Sequence, residues 1–353
     1  MLSTTPRRHV IALALLVVTR SWAIPGADEL PFKPLPRQAP APKDNPTTPA
    51  RISLGRQLFF DARLSKDGTV SCNSCHSVMG SGTDNRSVSV GVGGKEGGRN
   101  SPTVWNSAFH SVQFWDGRAK DLEAQAKGPL VNPVEMAMDN HEMVVDRLKQ
   151  IPEYVSRFDK AFGGKDSVTI DNAARAIAAY ERTLVTPNSP FDRFLRGDSK
   201  ALSAPARKGF TLVQDLGCVA CHHGIAFNGP EEPGSGEGFY QKFPTFTDNA
   251  FVEKYQLMKD TGRHAHTGDE NDKHYWRVPT WRNIALTAPY FHNGSVKTLD
   301  EAVRVMVKTQ LNKSLTEDQV KDVVAFLTSL TGEIPKQPMP ELPQTPGRTL
   351  LVH

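Results

Sequence analysis

The sequence predicts a mainly α-helical protein of two domains with long loops. Three observations support this fold class. Apolar residues recur at helical spacing in most segments between residues 49 and 333, no segment is rich in strand-forming residues, and proline- or glycine-rich stretches separate the helical patterns. With 353 residues, of which 38% are hydrophobic and 23% charged, the chain is long enough for two globular cores.

The first 23 residues have the features of an export signal. Arg7 and Arg8 form a basic start, residues 10–18 are apolar, and small residues end the segment at Ala23. The apolar stretch is too short to span a bilayer, although an uncleaved interfacial helix is an alternative. We therefore expect cleavage near Ala23, export to a bacterial periplasm, and no membrane anchor in the mature protein.

The charge of the chain does not indicate nucleic acid as a partner. The formal net charge is +4, but three of the 42 basic residues lie in the predicted signal, which contains no acidic residue. Residues 24–353 therefore hold 39 basic and 38 acidic residues, and they contain no run of Lys or Arg that would form a phosphate-binding face.

The N-terminal domain is predicted to span residues 49–187, after a proline-rich, extended lead-in at residues 24–48. Leu54, Leu58 and Phe59 are typical of a helix, and seven glycines between residues 80 and 98 predict a flexible loop or one that lies close to a ligand. Helical patterns follow at about 118–127, 140–150, 152–163 and 168–185.

The C-terminal domain is predicted to span residues 188–333. The turn sequence at residues 186–190 marks the boundary, although it could also be a tight turn between helices. Helical patterns occur near 203–214, from Leu299 to Met306, and after Thr316, which forms a capping-box pattern with Gln319. A long loop is expected at residues 228–247, and residues 334–353 form an aperiodic tail.

All four cysteines lie in two copies of the motif C-x-x-C-H. The copies are Cys72, Cys75 with His76, and Cys218, Cys221 with His222. Two cysteines at this spacing can form thioether bonds to both vinyl groups of a haem, and the adjacent histidine can bind the iron. A divided zinc site or two redox-active cysteine pairs would leave both histidines unexplained. The sequence therefore predicts two covalently bound c-type haems.

The second axial ligand decides whether a haem transfers electrons or binds a substrate. For the second haem the downstream candidates are Met258, Met306 and Met339. Met306 shares a helical face with apolar residues, which also suits core packing, but it precedes the last helix, where small c-type cytochromes present a methionine. The first motif is followed by no histidine before His110, and Met79 lies too close to reach the opposite face, so an open position is expected there.

Several longer motifs resemble those of the bacterial dihaem cytochrome c peroxidases, a family that includes the MauG-type maturation enzymes. The similarity runs from Leu54 to Leu330 and rests on LFFD at 58–61, GRNSPTV at 98–104, FWDGR at 114–118, NPVEM at 132–136, ERTL at 181–184 and LTAPYFH at 286–292. The resemblance implies two cytochrome c-like helical haem domains, the first peroxidatic and the second an electron-transfer domain.

The resemblance also implies roles for individual residues. It assigns Met306 as the second axial ligand of the second haem, Trp115 as the electron conduit between the haems, and Gln125 and Glu135 as the catalytic pair of the peroxidatic pocket. It further implies a calcium ion held by the Asn100 side chain and the backbone carbonyls of Thr287 and Pro289, and a supporting, non-ligating position for His292. Six further histidines are interpreted as solvent-exposed, namely His110, His141, His223, His264, His266 and His274.

One position departs from the family pattern. Many of these peroxidases carry, in the glycine-rich loop, a histidine that binds the peroxidatic iron until the other haem is reduced. This chain has Val92 there, and valine cannot bind iron, so we expect a first haem that is open at rest. MauG-type enzymes also lack that histidine, but they place a tyrosine where this chain has Met306.

The expected function is therefore a periplasmic cytochrome-c peroxidase. It would reduce hydrogen peroxide to water with electrons from a small cytochrome c or cupredoxin, possess two haem c groups and one calcium ion, and form a homodimer. The alternatives are a MauG-type oxidase that matures a partner protein and a pure electron-transfer dihaem cytochrome.

Overall fold

A computed structural model of the chain describes residues 32–345 and residue 347. The predicted signal at residues 1–23 lies outside the described residues. No helix within the described residues is both long and apolar enough to cross a membrane.

Twelve α-helices and two short strands form the described part of the chain. The helices are α1 (Pro49–Phe60), α2 (Cys72–Cys75), α3 (Leu122–Val131), α4 (His141–Lys149), α5 (Pro152–Phe162), α6 (Ile170–Glu181), α7 (Pro190–Leu195), α8 (Ala204–Asp215), α9 (Ala250–Lys254), α10 (His264–Thr267), α11 (Leu299–Leu311) and α12 (Glu317–Thr328). The strands β1 (Tyr240–Lys242) and β2 (Tyr275–Arg277) pair antiparallel, with Gln241 opposite Trp276. The mainly helical prediction is confirmed.

The ends of the helices follow from their caps. The helix predicted at about 118–127 begins at Leu122, because the Asp121 side chain accepts a hydrogen bond from the Ala124 amide and so forms the N-cap. The capping box predicted from Thr316 and Gln319 is present at the start of α12. The short helices α7, α9 and α10 were not predicted, because four to six residues carry too little periodicity.

Two helix pairs approach closely through glycine. A Cβ atom on Gly55 of α1 would overlap the Ala176 carbonyl of α6, and one on Gly209 of α8 would overlap the Asp322 carbonyl of α12. The first pair lies in an apolar cluster with α3, α4 and α5, around Phe59 and other buried residues. The second pair holds a group of phenylalanine rings around Phe191.

The two ends of the described chain cross over these helix groups. The lead-in packs on the C-terminal half, where the Phe32 ring stacks on Phe227 with 5.1 Å between centroids and the Leu35 amide donates to Asp192 Oδ1 at 2.9 Å. The tail packs on the N-terminal half, where Gln57 Nε2 donates to the carbonyl of Glu341 at 2.7 Å. The division into domains at residues 187 and 188 stays a prediction.

Candidate active site

The first C-x-x-C-H motif forms a single helical turn. Ser71 and Ser74 form a capping box at the start of α2, and His76 follows directly as its C-cap. His76 Nδ1 lies 3.0 Å from the carbonyl oxygen of Pro102. Since that carbonyl can only accept, Nδ1 carries the proton and the lone pair of Nε2 is available for a metal. Burial lowers the pKa of His76 and favours this neutral form.

A cavity of about 360 Å³ opens beside this motif. Cys72, Cys75 and His76 line it, and so do Gln125 and Glu135, the two residues predicted to act on peroxide. Gln125 lies in the first turn of α3, and Glu135 lies in the turn that follows the same helix. One short helix with its flanking turn therefore brings both predicted catalytic side chains to the haem motif.

The Glu135 carboxylate is partly buried and held at one oxygen. Asn132 Nδ2 donates to Glu135 Oε1 at 2.8 Å, and the Glu135 amide donates to the carbonyl of Asn132 at 3.0 Å. Burial raises the pKa of Glu135, while the Arg118 guanidinium and the Asn132 hydrogen bond oppose this change. A carboxyl whose pKa is raised in this way is suited to accept and return a proton.

Arg118 also lines the first cavity and is fixed by two neighbours. Its Nη1 lies 3.0 Å from each carboxylate oxygen of Asp116, and its guanidinium lies over the Phe114 ring, 3.5 Å from the centroid. Sequence analysis did not identify Arg118 as a functional residue, although it belongs to the FWDGR motif.

The glycine-rich loop is docked on the same turn. The Val92 amide donates to the carbonyl of Glu135 at 2.8 Å, and Gly91 lies so close to Val134 and Glu135 that a Cβ atom would overlap their carbonyl oxygens. The Val92 side chain packs against the apolar cluster of the N-terminal half. The loop thus contacts the backbone of Glu135 without presenting a metal-binding side chain at residue 92.

The second motif is arranged similarly. Cys218–Ala220 form a 3₁₀ turn, and His222 Nδ1 lies 3.0 Å from the carbonyl oxygen of Phe227. The His222 ring stacks on Trp281, with 4.2 Å between centroids. Burial lowers the pKa of His222 to about 4, so the imidazole is neutral with Nε2 free to bind a metal.

A second cavity, of about 120 Å³, lies beside this motif. Cys218, Cys221 and His222 line it together with Met306 of α11. The other two methionine candidates do not line it, and their side chains are open to solvent, with Met258 37% exposed and Met339 66% exposed. His292 lines the cavity as well, and its ring stacks on Trp276 at 4.1 Å between centroids.

Trp115 lines both cavities. Its indole Nε1 donates to the carbonyl oxygen of Asn100 at 2.8 Å, and its own carbonyl accepts from the Arg277 amide at 2.9 Å. Arg277 also lines both cavities, and it is only 3% exposed. The indole therefore lies between the two haem motifs, fixed from both sides.

A backbone hydrogen bond connects Asn100 to the segment that contains the other two residues predicted to hold calcium. The Asn100 amide donates to the His292 carbonyl at 2.7 Å, which ties this loop to the segment that contains Thr287 and Pro289. Asn100 Nδ2 donates to the Arg86 carbonyl at 2.8 Å, so its side-chain oxygen is the atom left for a cation. Within the described residues, no group of three or more His, Cys, Asp or Glu side chains could hold a metal ion.

Two of the histidines interpreted as solvent-exposed are buried, and that interpretation was wrong for them. His110 is 3% exposed and lines the first cavity, and His274 is 8% exposed with Nδ1 at 3.0 Å from the carbonyl of Asp260. The position of His110 between Phe109 and Ser111-Val112 in a largely apolar stretch was the available sequence signal of its burial.

Glu181 also lines the first cavity, and burial raises its pKa to about 8.

The donor set at each cavity fits a covalently bound haem. Each cavity presents two free thiols three residues apart and a neutral, oriented imidazole, which are the groups that thioether formation and iron ligation require. Burial raises the pKa of all four thiols, that of Cys218 to about 11. None of them therefore has the lowered pKa of a reactive, redox-active cysteine.

Comparisons with known proteins agree with this arrangement. A family model described as di-haem cytochrome c peroxidase matches residues 49–200. A cytochrome c551 peroxidase of Pseudomonas aeruginosa is 47% identical, covering 90% of this chain and 88% of that protein. Another of that name, from Nitrosomonas europaea, is 42% identical and covers 99% of this chain and 98% of that protein.

Proteins of the MauG type are also similar, at lower identity. The methylamine utilization protein MauG of Methylophilus methylotrophus is 33% identical over 96% of this chain and 99% of that protein. The crystal structure of a MauG-like protein associated with microbial copper homeostasis superposes with a TM-score of 0.72 at 29% identity, over 88% of this chain and 95% of that chain.

Proposed function

The chain belongs to the di-haem cytochrome c peroxidase family, and from that membership we propose a division of work between its two cavities. The protein is an oxidoreductase that reduces hydrogen peroxide with electrons from a cytochrome. We assign peroxide reduction to the first cavity and electron storage to the second. The observation that carries this assignment is that Gln125 and Glu135 line only the first cavity, whereas Met306 lines only the second.

The residues of the two motifs would hold the cofactors. Cys72, Cys75 and His76 would hold one haem c, and Cys218, Cys221 and His222 the other, with Met306 as a further ligand of the latter. When bound, the haems would supply the iron chemistry of peroxide reduction and of single-electron exchange.

Glu135 moves the proton in the first cavity. Hydrogen peroxide must lose a proton from one oxygen and gain it at the other before the O–O bond breaks, so that water leaves instead of hydroxide. Glu135 Oε2 is free of the Asn132 hydrogen bond, and the raised pKa of the carboxyl lets it take that proton and return it. Over a full cycle two electrons and two protons convert one peroxide into two waters.

Gln125 orients the substrate. Its side-chain amide lines the same cavity as Glu135 and offers both a donor and an acceptor to the peroxide oxygens. Hydrogen bonds of this kind place the proton-bearing oxygen toward the carboxylate and therefore raise the fraction of productive encounters.

Met306 and His222 make the second cavity the electron reservoir. A thioether ligand combined with imidazole raises the potential of a haem, which favours holding one reducing equivalent there. The Trp115 indole carries that electron toward the first cavity, and a small cytochrome c or cupredoxin replaces it from outside.

We further propose a periplasmic location after cleavage of the N-terminal signal, with no membrane anchor thereafter, and a homodimeric state.

A calcium ion would stabilise this arrangement. The side-chain oxygen of Asn100 and the carbonyl oxygens of Thr287 and Pro289 are hard ligands suited to Ca²⁺. Because Trp115 donates to the backbone carbonyl of Asn100, an ion at this position would also fix the indole.

The second candidate function is a MauG-type oxidase. Val92, which cannot bind iron, is compatible with it, as is the similarity to proteins of that type. Met306 in the second cavity favours the peroxidase, because the MauG-type enzymes place a tyrosine at that position.

The first experiment assays the holoenzyme with hydrogen peroxide and reduced cytochrome c in two states, fully oxidised and pre-reduced by one electron. We expect immediate turnover by the oxidised sample, because Val92 leaves the first cavity without a loop ligand. Turnover only after pre-reduction would contradict an open resting site. Absence of turnover in both samples would contradict the peroxidase assignment and favour the maturation enzyme.

A further inference from the structure

Three buried polar groups in the first cavity lack the partners that their chemistry requires. They belong to Ser107, His110 and Arg277, which are 7%, 3% and 3% exposed, and all three line the cavity. The Ser107 hydroxyl and His110 Nε2 have no hydrogen-bond partner among the described residues. Buried polar groups are nearly always satisfied, so a ligand group is expected beside them.

Arg277 supplies a positive charge that no carboxylate contacts. Its Nε donates to the Phe114 carbonyl at 3.1 Å and its Nη1 to the Val278 carbonyl at 3.3 Å, which leaves further N–H groups of the guanidinium. It forms no ion pair with any of the described residues. A buried cation without a counter-charge is strongly unfavourable, so the site requires an anion.

The nearby charged groups do not meet that requirement. Asp116 acts on Arg277 only at a distance, because its carboxylate is engaged by Arg99 and Arg118. Tyr240 also faces Arg277, but burial raises the pKa of its phenol and keeps it neutral. Burial and the charge of Arg277 lower the pKa of His110, and a hydrogen bond with Gln113 only partly opposes this, so His110 adds a hydrogen-bonding group without adding charge.

We propose that Ser107, His110 and Arg277 form a carboxylate-binding subsite that receives a propionate group of the haem in the first cavity. This inference rests on the proposed function, since it assumes a haem bound at Cys72, Cys75 and His76. A hydroxyl, an imidazole N–H and a guanidinium together match the two oxygens and the single charge of a carboxylate. Ser107 and His110 line only the first of the two cavities, which assigns the carboxylate to the first haem.

The subsite also links the propionate to the electron conduit. The Arg277 amide donates to the Trp115 carbonyl at 2.9 Å, so the residue that neutralises the propionate also positions the indole. Arg277 therefore acts as a positioning residue between the two cavities, and it sets the electrostatic potential that the first haem experiences.

The test is a spectroelectrochemical titration of the first haem in Arg277→Gln, Arg277→Lys and Arg157→Gln. Arg157 is on α5 and lines neither cavity, so Arg157→Gln is the control for the loss of one positive charge elsewhere in the protein. Loss of the Arg277 cation should lower the ratio of reduced to oxidised first haem about tenfold at a fixed applied potential. The midpoint potential should also become pH-dependent, because the unpaired propionate now takes up a proton on reduction. Arg277→Lys should restore most of the wild-type behaviour, and Arg157→Gln should match the wild type.

A second measurement covers the case in which Arg277→Gln does not fold. Ser107→Ala removes one hydroxyl, and it should shift the resonance Raman band of the propionate bending mode in the first haem. Unchanged potentials in Arg277→Gln, or an unchanged band in a folded Ser107→Ala, would overturn the subsite. Peroxidase activity of the wild type is measured in parallel: an inactive wild type with a shifted Arg277→Gln potential would refute the proposed function while supporting the subsite.

Discussion

The indole Nε1 of Trp115 donates a hydrogen bond to the backbone carbonyl of Asn100 at 2.8 Å. This contact joins the aromatic ring between the two cavities to the residue whose side chain is proposed to hold calcium. The Asn100 amide in turn donates to the His292 carbonyl at 2.7 Å, and His292 lines the second cavity. The proposed ion, the proposed electron path and the second cavity are therefore connected through one residue.

Trp115→Phe should slow electron transfer between the haems. Phenylalanine keeps an aromatic ring but lacks the N–H that donates to Asn100, and it is far harder to oxidise than tryptophan. We expect a several-fold decrease in turnover with both haem spectra unchanged. Stopped-flow absorbance that follows electron loss from the second haem after peroxide addition measures this rate, and an unaltered rate would exclude the indole from the path.

Removal of calcium should weaken the same connection. A chelator such as EGTA should lower turnover without releasing the covalently bound haems, and added Ca²⁺ should restore it. Asn100→Ala removes the single side-chain ligand and should reduce calcium affinity about tenfold. Titration of the chelated wild type and of chelated Asn100→Ala with Ca²⁺ measures the recovery of turnover and the calcium affinity. Equal calcium affinity in the wild type and in Asn100→Ala would show that Asn100 is not a calcium ligand.

Glu135 should determine the acidic limb of the pH–activity profile. Only the ionised carboxyl can accept the peroxide proton, and burial raises its pKa, so turnover should fall as the pH is lowered through that raised value. Glu135→Gln should lose about 10²–10⁴ in rate while both haem spectra are retained.

A substitution of Arg118 gives a second test of this pH dependence. Its charge opposes the effect of burial on the Glu135 pKa, so Arg118→Gln should move the acidic limb to higher pH. An unshifted limb in Arg118→Gln, or full turnover in Glu135→Gln, would assign the proton transfer to another group.

These residues differ in how far the sequence alone could identify them. The paired motifs and the helical periodicity are local signals. The periodicity predicted the mainly helical fold, and His76 and His222 of the two motifs line two separate cavities. The proposed carboxylate subsite depends on the fold placing Arg277 at the same cavity as Ser107 and His110, residues about 170 positions earlier, and no local pattern reports such long-range neighbours. The apolar neighbours of His110 were its only local signal of burial, and because His110 belongs to no motif it was misplaced on the surface.

Met306→His should lower the potential of the second haem. A thioether ligand stabilises the reduced iron relative to imidazole, so its replacement by a second histidine favours the oxidised state. Met258→His is the matched control, because Met258 is 37% exposed and lies outside the second cavity. Redox titration of both variants measures the effect, and an equal potential in the wild type and Met306→His would show that Met306 is not a ligand.

Val92→His should convert the first cavity into one that needs reductive activation. The Val92 amide donates to the Glu135 carbonyl at 2.8 Å, so the loop already lies against the catalytic turn, and an imidazole there could bind the iron of an oxidised enzyme. We expect the fully oxidised variant to lose immediate turnover and to regain it after one-electron pre-reduction. Val92→Leu changes the loop packing without adding a ligand and should behave as the wild type does. Immediate turnover in the oxidised Val92→His enzyme would mean that the loop does not reach the iron, and that the residue at position 92 does not decide whether the site is open at rest.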